Sequence, residues 1–137
     1  MKIIELTTPR KQRIGIVNTN NTHLENHEYE TIHFLASFGF NIDIIRPTNA
    51  PGTRTPDFLL NGAVWEAKCP HGTGYSTIGR QFHYAGRQAE RLVLDLRRIK
   101  LPAKEAEQES LIRFNRSRRI KHLLLITKDC RLLDISK

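Results

Sequence analysis

The dipeptide Asn61-Gly62 constrains the fold of this chain more than any other feature of its 137 residues. It lies between two short apolar runs. In that setting an Asn-Gly pair predicts a two-residue type I′ β-hairpin, because both loop residues need a positive φ. Counting outward from the loop gives these opposed pairs: Leu60 with Ala63, Leu59 with Val64, Phe58 with Trp65, and Asp57 with Glu66. The turn therefore fixes the register of the hairpin and the face on which each side chain lies.

The two faces of this predicted hairpin differ in character. Side chains alternate across a strand, so one face is apolar and carries Phe58, Leu60, Ala63, Trp65 and Ala67. On the other face Asp57 lies opposite Glu66 with Cβ atoms about 4.5–5.5 Å apart, where like charges are destabilising. Such a pair needs a cation or an added proton. A hard divalent metal would bind both carboxylates.

Lys68 lies two residues beyond Glu66 on the same face, so two carboxylates and an ammonium group are expected to converge there. That combination is typical of metal-assisted hydrolysis of a phosphodiester. The structural alternative is an edge hairpin with solvated charges, in which Lys68 neutralises the acidic pair.

The composition is that of an ordinary globular protein, with 39% apolar and 26% charged residues. The length predicts a single domain over residues 1–137, with a core at about 24–127 and a basic helix and C-terminal hairpin at 97–136. No apolar run reaches the roughly 20 residues that span a bilayer, and the N-terminus lacks the apolar segment of a signal peptide. Two cysteines are too few for a disulfide scaffold. We therefore expect a cytoplasmic location and no membrane partner.

The positive charge of the chain is concentrated in one segment. The formal net charge is +8, and residues 97–131 contain eleven Lys and Arg against four acidic residues, a net of +7. A basic field of this size suits a polyanion such as nucleic acid, although a solvated helix face would look the same. The arginines that we select as candidate substrate contacts are Arg54, Arg113, Arg116, Arg118 and Arg119.

A helix is predicted from about His23 to Phe38, and Gly39 is a natural residue for its C-terminal stop. Helical spacing places Glu28 on the same stripe as Ile32 and Leu35, which face the core. A carboxylate there is costly without a partner, so Glu28 is a candidate site residue. The alternative is a partly exposed acid in the first turn, favoured by the helix dipole.

The hairpin is followed by a Gly- and Pro-rich loop and then by a helix predicted at about 77–90. His71, in the loop, is a candidate general base or phosphate contact. Gln81 and Gln88 are seven residues apart on one side of the predicted helix, near its buried stripe. Buried amides need partners, so both are candidates for binding a phosphate or a metal-bound water, and solvent-facing glutamines are the alternative.

The remaining elements complete an α/β pattern. Strands are predicted at Phe40–Ile45, Leu92–Leu96, His122–Thr127 and Leu132–Ile135, a helix runs from Ala103 to about Arg118, and Arg13–Val17 is a weaker strand. The alternation predicts a mixed central sheet with helices on both faces. The apolar strands at 92–96 and 123–126 are expected at its centre.

The order of these motifs resembles the PD-(D/E)xK nuclease superfamily, which has the restriction-endonuclease-like fold. Glu28 on a helix, Pro56-Asp57 on a strand, Glu66-Ala67-Lys68 on the next, and a helix with Gln81 follow the order of that superfamily. The run Asn61–Gly72, the Ser-Thr-Ile helix start, Gln88 and Leu94–Leu96 also resemble the C-terminal nuclease domains of contact-dependent growth-inhibition toxins. These include tRNases and DNases, and the resemblance covers residues of about 24–136.

This resemblance implies a role for each candidate residue. Asp57, Glu66 and Glu28 would hold a metal ion, usually Mg²⁺ with Mn²⁺ or Zn²⁺ as alternatives. Lys68 would orient or activate the attacking water and stabilise charge on the phosphate. It implies an endonuclease that prefers RNA, with tRNA as the first candidate, and a cognate inhibitor protein as a partner. The enzyme would act in the cytoplasm of its own cell or, as a toxin, in that of a target cell.

Two other functions fit the same residues. A DNA endonuclease of the same fold would use the same acidic residues and lysine. A nucleic-acid-binding module without turnover would use the basic segment alone, and would show salt-dependent binding without metal-dependent products.

Overall fold

A computed structural model of the chain describes residues 1–8, 14–45 and 58–137. Within them lie eight β-strands and three α-helices, which confirms the predicted mixed α/β class. The chain divides into two compact units, one formed by residues 7–67 and the other by residues 1–6 and 68–137. The single domain expected from the length stays a prediction.

In the part that the structure describes, the unit of residues 7–67 contains one helix and four strands: β2 Val17–Asn18, α1 Asn26–Ser37, β3 Ile42–Ile44, β4 Phe58–Leu60 and β5 Ala63–Lys68, whose last residue begins the other unit. Strand β2 pairs with β3 in parallel, and β3–β4 and β4–β5 are antiparallel. The register places Ile42, Ile44 and Phe58 on one buried face of these strands.

Helix α1 begins where a reciprocal cap can form. Glu25 is the N-cap residue, and the Glu28 carboxylate accepts a hydrogen bond from the Glu25 backbone N–H at 2.9 Å. The helix therefore begins three residues after the predicted start. Its buried stripe includes Ile32 and Leu35, as the spacing predicts, and Gly39 ends it with a φ of 93°.

Gly15 lies in the weak strand predicted at the N-terminal side of this unit, at a position where only glycine fits. A Cβ at this position would lie 1.7 Å from the carbonyl oxygen of Phe40, so no side chain fits. The Gly15 backbone N–H instead donates to the Ala36 carbonyl at 2.8 Å. The paired register with β3 begins at Val17, and the Ile16 carbonyl accepts a hydrogen bond from the Ile42 backbone N–H at 2.9 Å.

The β4–β5 hairpin is confirmed. Asn61 and Gly62 have φ values of 49° and 87°, as a type I′ turn requires. The described pairs have the predicted register: Phe58 with Trp65, Leu59 with Val64, and Leu60 with Ala63.

The second unit contains two helices and four strands of five residues each: β1 Lys2–Leu6, α2 Tyr75–Ala85, β6 Arg91–Asp95, α3 Ala103–Arg116, β7 His122–Ile126 and β8 Leu132–Ser136. Its strands lie in the order β1-β8-β7-β6. Strands β6 and β7 are parallel, while β7–β8 and β8–β1 are antiparallel.

The core of this unit lies between its sheet and its two helices. Alternate residues of β6, β7 and β8 cluster with Ile78 and Phe82 of α2 and with Phe114 of α3. Helices α2 and α3 therefore pack on the same face of these strands. They approach closely at Gly79, where a Cβ would lie 3.1 Å from the guanidinium carbon of Arg113.

Two elements of this unit differ from the predictions. Strand β1 was not predicted, since four of its five residues are exposed and no side-chain alternation marks it. Helix α2 ends at Ala85 instead of about residue 90, because Gly86 follows and caps it. In the part of the chain that the structure describes, no helix is long and apolar enough to cross a membrane.

Candidate active site

Strand β5 carries two of the predicted site residues, Glu66 and Lys68, on one face. Glu66 and Lys68 are two residues apart and therefore point to the same side of the strand. Val64, earlier on this face, is 43% exposed, whereas Glu66 is 1% exposed and Lys68 is partly buried. The face thus changes from solvent-exposed to buried along the strand, and the carboxylate lies in its buried part.

Burial of the Glu66 carboxylate has an energetic consequence. Removing an ionised carboxylate from water costs several kcal/mol unless ion pairing, hydrogen bonding or metal coordination compensates. An apolar residue on this strand would avoid that cost. A carboxylate buried to this degree in a β-strand is therefore a candidate functional group.

Asp57 and Arg54 lie outside the described residues. The predicted pairing of Asp57 with Glu66 thus stays a prediction. Among residues 1–8, 14–45 and 58–137, no three His, Cys, Asp or Glu side chains are arranged to hold a metal ion. A carboxylate set built on Glu66 would need a ligand from the rest of the chain.

Glu28 has a structural role at the start of α1. Its carboxylate closes the capping box of this helix, and the residue is partly exposed in the first turn. The capping contact uses Oε1, so the second carboxylate oxygen is not needed for it. The predicted role of Glu28 as a metal ligand stays a prediction beside this observed one.

The structure does not bring the predicted glutamines together. Helix α2 ends before Gln88, so the prediction that Gln81 and Gln88 share one side of a helix is wrong. Gln81 donates from Nε2 to the Thr77 carbonyl at 3.0 Å, within its own helix. His71 is exposed.

Four of the predicted arginines do come together. Arg113, Arg116, Arg118 and Arg119 line a cleft of about 420 Å³ between the C-terminal parts of α2 and α3. Arg87 also lines it and is not among the arginines predicted from the sequence, since it lies outside the basic segment. Gly86, the C-cap residue of α2, is the sequence signal for that helix end.

Other basic residues of the segment are already paired with carboxylates. Arg97 forms a two-pronged contact with Asp95, which is 1% exposed, at distances of 2.8–3.3 Å. These hydrogen bonds raise the pKa of Arg97 above its ordinary value. Arg131 contacts Glu5, Glu107 and Asp129, and so joins β1, α3 and the β7–β8 turn. The cleft is therefore a more selective candidate for an anion site than the segment as a whole.

The fold has a counterpart among solved structures. It is similar to the CdiA-CT/CdiI toxin and immunity complex from Burkholderia pseudomallei, with a TM-score of 0.64 over 90% of this chain and 100% of that one. Sequence identity is 17%, so this likeness shows the fold alone. Among curated protein sequences, none is similar enough to this chain to count as a relative.

The family model of the contact-dependent growth inhibition CdiA C-terminal domain matches residues 54–132. The chain belongs to this family. The match includes Glu66, Lys68 and the arginine-lined cleft, and it begins after Glu28. The predicted resemblance to growth-inhibition toxins is confirmed, and the wider PD-(D/E)xK assignment stays a prediction.

Proposed function

We propose that this chain is a nuclease toxin domain that hydrolyses phosphodiester bonds with the help of a divalent metal ion. The observation that carries the proposal is Glu66, a carboxylate 1% exposed on β5 and followed on the same strand face by Lys68. Membership of the CdiA C-terminal family supports a toxic activity. The PD-(D/E)xK pattern accounts for both residues with one chemistry.

The donor set fits Mg²⁺, which prefers oxygen ligands and needs few carboxylates because it keeps several waters. Glu66 and Asp57 would hold the ion, with Mn²⁺ or Zn²⁺ as alternatives, and Glu28 would complete the set directly or through water. When bound, the ion supplies charge neutralisation at the phosphate and a lower pKa for its bound water.

Lys68 would act on the reacting groups. Its ammonium group is a compact charge with three donors on a flexible stem. On the side of β5 that carries Glu66, it would orient the attacking water and stabilise negative charge as it develops on the phosphate. Partial burial of Lys68 strengthens this effect, since the screening by solvent is weaker there.

RNA is the proposed substrate, with tRNA as the first candidate, and this preference rests on the resemblance to growth-inhibition toxins. DNA is the alternative substrate. A binding module without turnover is the alternative function, and the arginine-lined cleft would serve it equally well. The buried Glu66 favours the enzyme, because a module that binds only the polyanion gains nothing from a buried carboxylate.

The biological setting follows from the family. We infer that the domain acts inside a target cell and that the producing cell protects itself with a cognate immunity protein. The similar solved structure is a complex of a toxin with its immunity protein, which supports this partner.

A cleavage assay tests the proposed function. Purified protein is incubated with total RNA and with plasmid DNA in Mg²⁺, Mn²⁺ or EDTA. Lys68→Ala is compared with Lys104→Ala, which removes the same charge from an exposed position on α3. We expect metal-dependent cleavage of RNA by the parent and by Lys104→Ala, and a loss of at least about a hundredfold in Lys68→Ala.

Each other outcome changes the proposal in a defined way. If the parent cleaved only DNA, DNA would be the substrate instead of RNA. If Lys68→Ala cleaved as well as the parent, the proposed catalytic site would be rejected. If the folded parent cut neither polymer nor a full set of tRNAs, the binding module would be the better function.

A further inference from the structure

The cleft between the C-terminal parts of α2 and α3 concentrates positive charge. Five arginines line it: Arg87, Arg113, Arg116, Arg118 and Arg119. Among the described residues that line it, none is acidic. The nearest compensation is Glu109, one turn back on α3, which contacts the Nε of Arg113 at 2.8 Å. Five guanidinium groups against this one carboxylate leave four positive charges.

Most of these guanidinium groups are available to a ligand. Arg87, Arg116, Arg118 and Arg119 are exposed, and within the described part of the chain none of the four has a carboxylate within 4.0 Å. Only Arg119 has a weak contact, at 3.5 Å to the Gly86 carbonyl. Holding so many like charges around one cleft is unfavourable without an anion.

Stabilisation of the helix dipole does not account for the whole cluster. Cations in the last turn of a helix are favourable, and Arg113 and Arg116 occupy that turn of α3. Arg118 and Arg119 follow the helix end at Ser117, where the dipole effect is weaker than in the last turn, and they still line the cleft. Their position therefore points to a ligand.

The chemistry of the cleft favours the sugar-phosphate backbone of a nucleic acid. Guanidinium groups match phosphate oxygens with two parallel hydrogen bonds. His83 also lines the cleft, and its ring meets that of Tyr84, which is 49% exposed, at 5.5 Å between centroids. Exposed aromatic rings beside a basic groove are the platforms on which unpaired bases stack. The positive charge would suit an acidic protein equally well, and the adjacent stacking surface favours a nucleic acid.

We propose that this cleft binds successive backbone phosphates of the RNA substrate, with the His83–Tyr84 pair beside it as a surface for an unpaired base. This inference rests on the proposed function only for the identity of the polymer. In this proposal the cleft holds the strand and takes no part in the chemistry.

Binding is measured without cleavage, in EDTA and in the Lys68→Ala background, by fluorescence anisotropy of a fluorescein-labelled mixed-sequence RNA across a series of NaCl concentrations. Arg118→Gln/Arg119→Gln removes two cleft charges. Arg98→Gln/Lys104→Gln is the matched control, because it removes two exposed charges elsewhere in the same unit. Thermal unfolding verifies that both variants fold.

We expect the cleft variant to raise Kd about tenfold and to make the slope of log K against log salt shallower by about 1.4, the value for two phosphate contacts on a single strand. The control should change Kd much less. Tyr84→Ala should weaken binding about fivefold or more without changing the salt slope, as expected for lost stacking. An equal loss in the cleft variant and the control would reject the cleft.

Competition separates RNA from an acidic protein. Polyglutamate at matched charge should displace the RNA poorly, and equally strong displacement would overturn the assignment to nucleic acid. A parallel cleavage assay keeps the two proposals distinct. If the parent cuts nothing but the cleft variant still weakens RNA binding, the proposed nuclease activity is rejected and RNA binding by the cleft stands. If the parent cuts RNA and the cleft variant has an unchanged KM and Kd, RNA binding by the cleft is rejected and the proposed nuclease activity stands.

Discussion

Glu66 is the residue at which burial and charge conflict most directly. Its neighbour Trp65 is also buried, so β5 has buried side chains on both faces at this point. Strands of that kind are normally apolar throughout. Packing alone would favour an apolar side chain at this position. A functional role for the carboxylate would compensate for the energetic cost of burying it. Residue-scale energetics therefore support the site independently of any motif.

Tyr75 offers a prediction at the same scale that does not depend on catalysis. Its hydroxyl donates to Glu105 Oε2 at 3.0 Å, and this hydrogen bond, with the negative charge of Glu105, raises the pKa of the phenol above 10.0. A raised pKa in the folded state means that the contact stabilises the fold below about pH 10, the unfolded value. The stabilisation is lost as the pH rises through the folded pKa.

We expect Glu105→Gln to lower the midpoint of the tyrosine transition that Tyr75→Phe removes, as measured by phenolate absorbance during alkaline titration. Glu30→Gln, which changes an exposed acid on α1, is the control and should leave the curve unchanged. Superimposable curves for the parent and Glu105→Gln would show that the contact is absent in solution.

At the scale of elements, Glu28 is asked to serve both α1 and the candidate active site. Its cap and its proposed metal binding can be separated, because glutamine also serves in a capping box but lacks the charge. We expect Glu28→Ala to lower the free energy of unfolding by about 1 kcal/mol and Glu28→Gln to lower it much less. Both substitutions should reduce metal-dependent cleavage.

Urea denaturation and single-turnover cleavage measure these two effects separately. Full cleavage activity in Glu28→Gln would remove Glu28 from the metal site and leave only its capping role. A stability loss of the same size in both variants would instead contradict the capping contact.

The elements that the sequence predicted well are those whose signals are local. The β4–β5 hairpin follows from Asn61-Gly62, and the end of α1 follows from Gly39. The buried strands β6 and β7 follow from their apolar runs. Strand β1 could not be predicted in this way. Lys2 pairs with Ser136 at the other end of the chain, so the strand depends on a partner that no local pattern reveals.

The same distinction applies to the candidate sites. Glu66 and Lys68 lie on one strand, so alternation alone placed them on one face. The arginine-lined cleft depends on two helix ends that meet in the fold, and Arg87 and Arg119 are far apart in sequence. The basic segment predicted that a polyanion binds, but it did not predict where on the protein it binds. The ion pairs of the folded protein narrow the choice of binding site, since they neutralise Arg97 and Arg131 and leave the arginines of the cleft exposed.

At the scale of the whole molecule, metal binding should raise the free energy of unfolding of the protein. A ligand that binds only the folded state stabilises it by RT ln(1 + [L]/Kd), about 2.7 kcal/mol at a hundredfold excess over Kd. For a chain of this size that energy raises Tm by several degrees. We therefore expect Mn²⁺ or Mg²⁺ to raise the Tm of the parent, and EDTA to reverse the rise.

Glu66→Gln should abolish this shift, because the neutral amide is a much poorer ligand for a hard cation than the carboxylate. The matched control is again Glu30→Gln, an acid of the same unit on the exposed side of α1, which should keep the full shift. The measurement needs no substrate, so it tests the metal site even if the polymer has been chosen wrongly. An equal rise in Tm for both variants would place the metal elsewhere on the protein, and Glu66 would then owe its burial to structure rather than to catalysis.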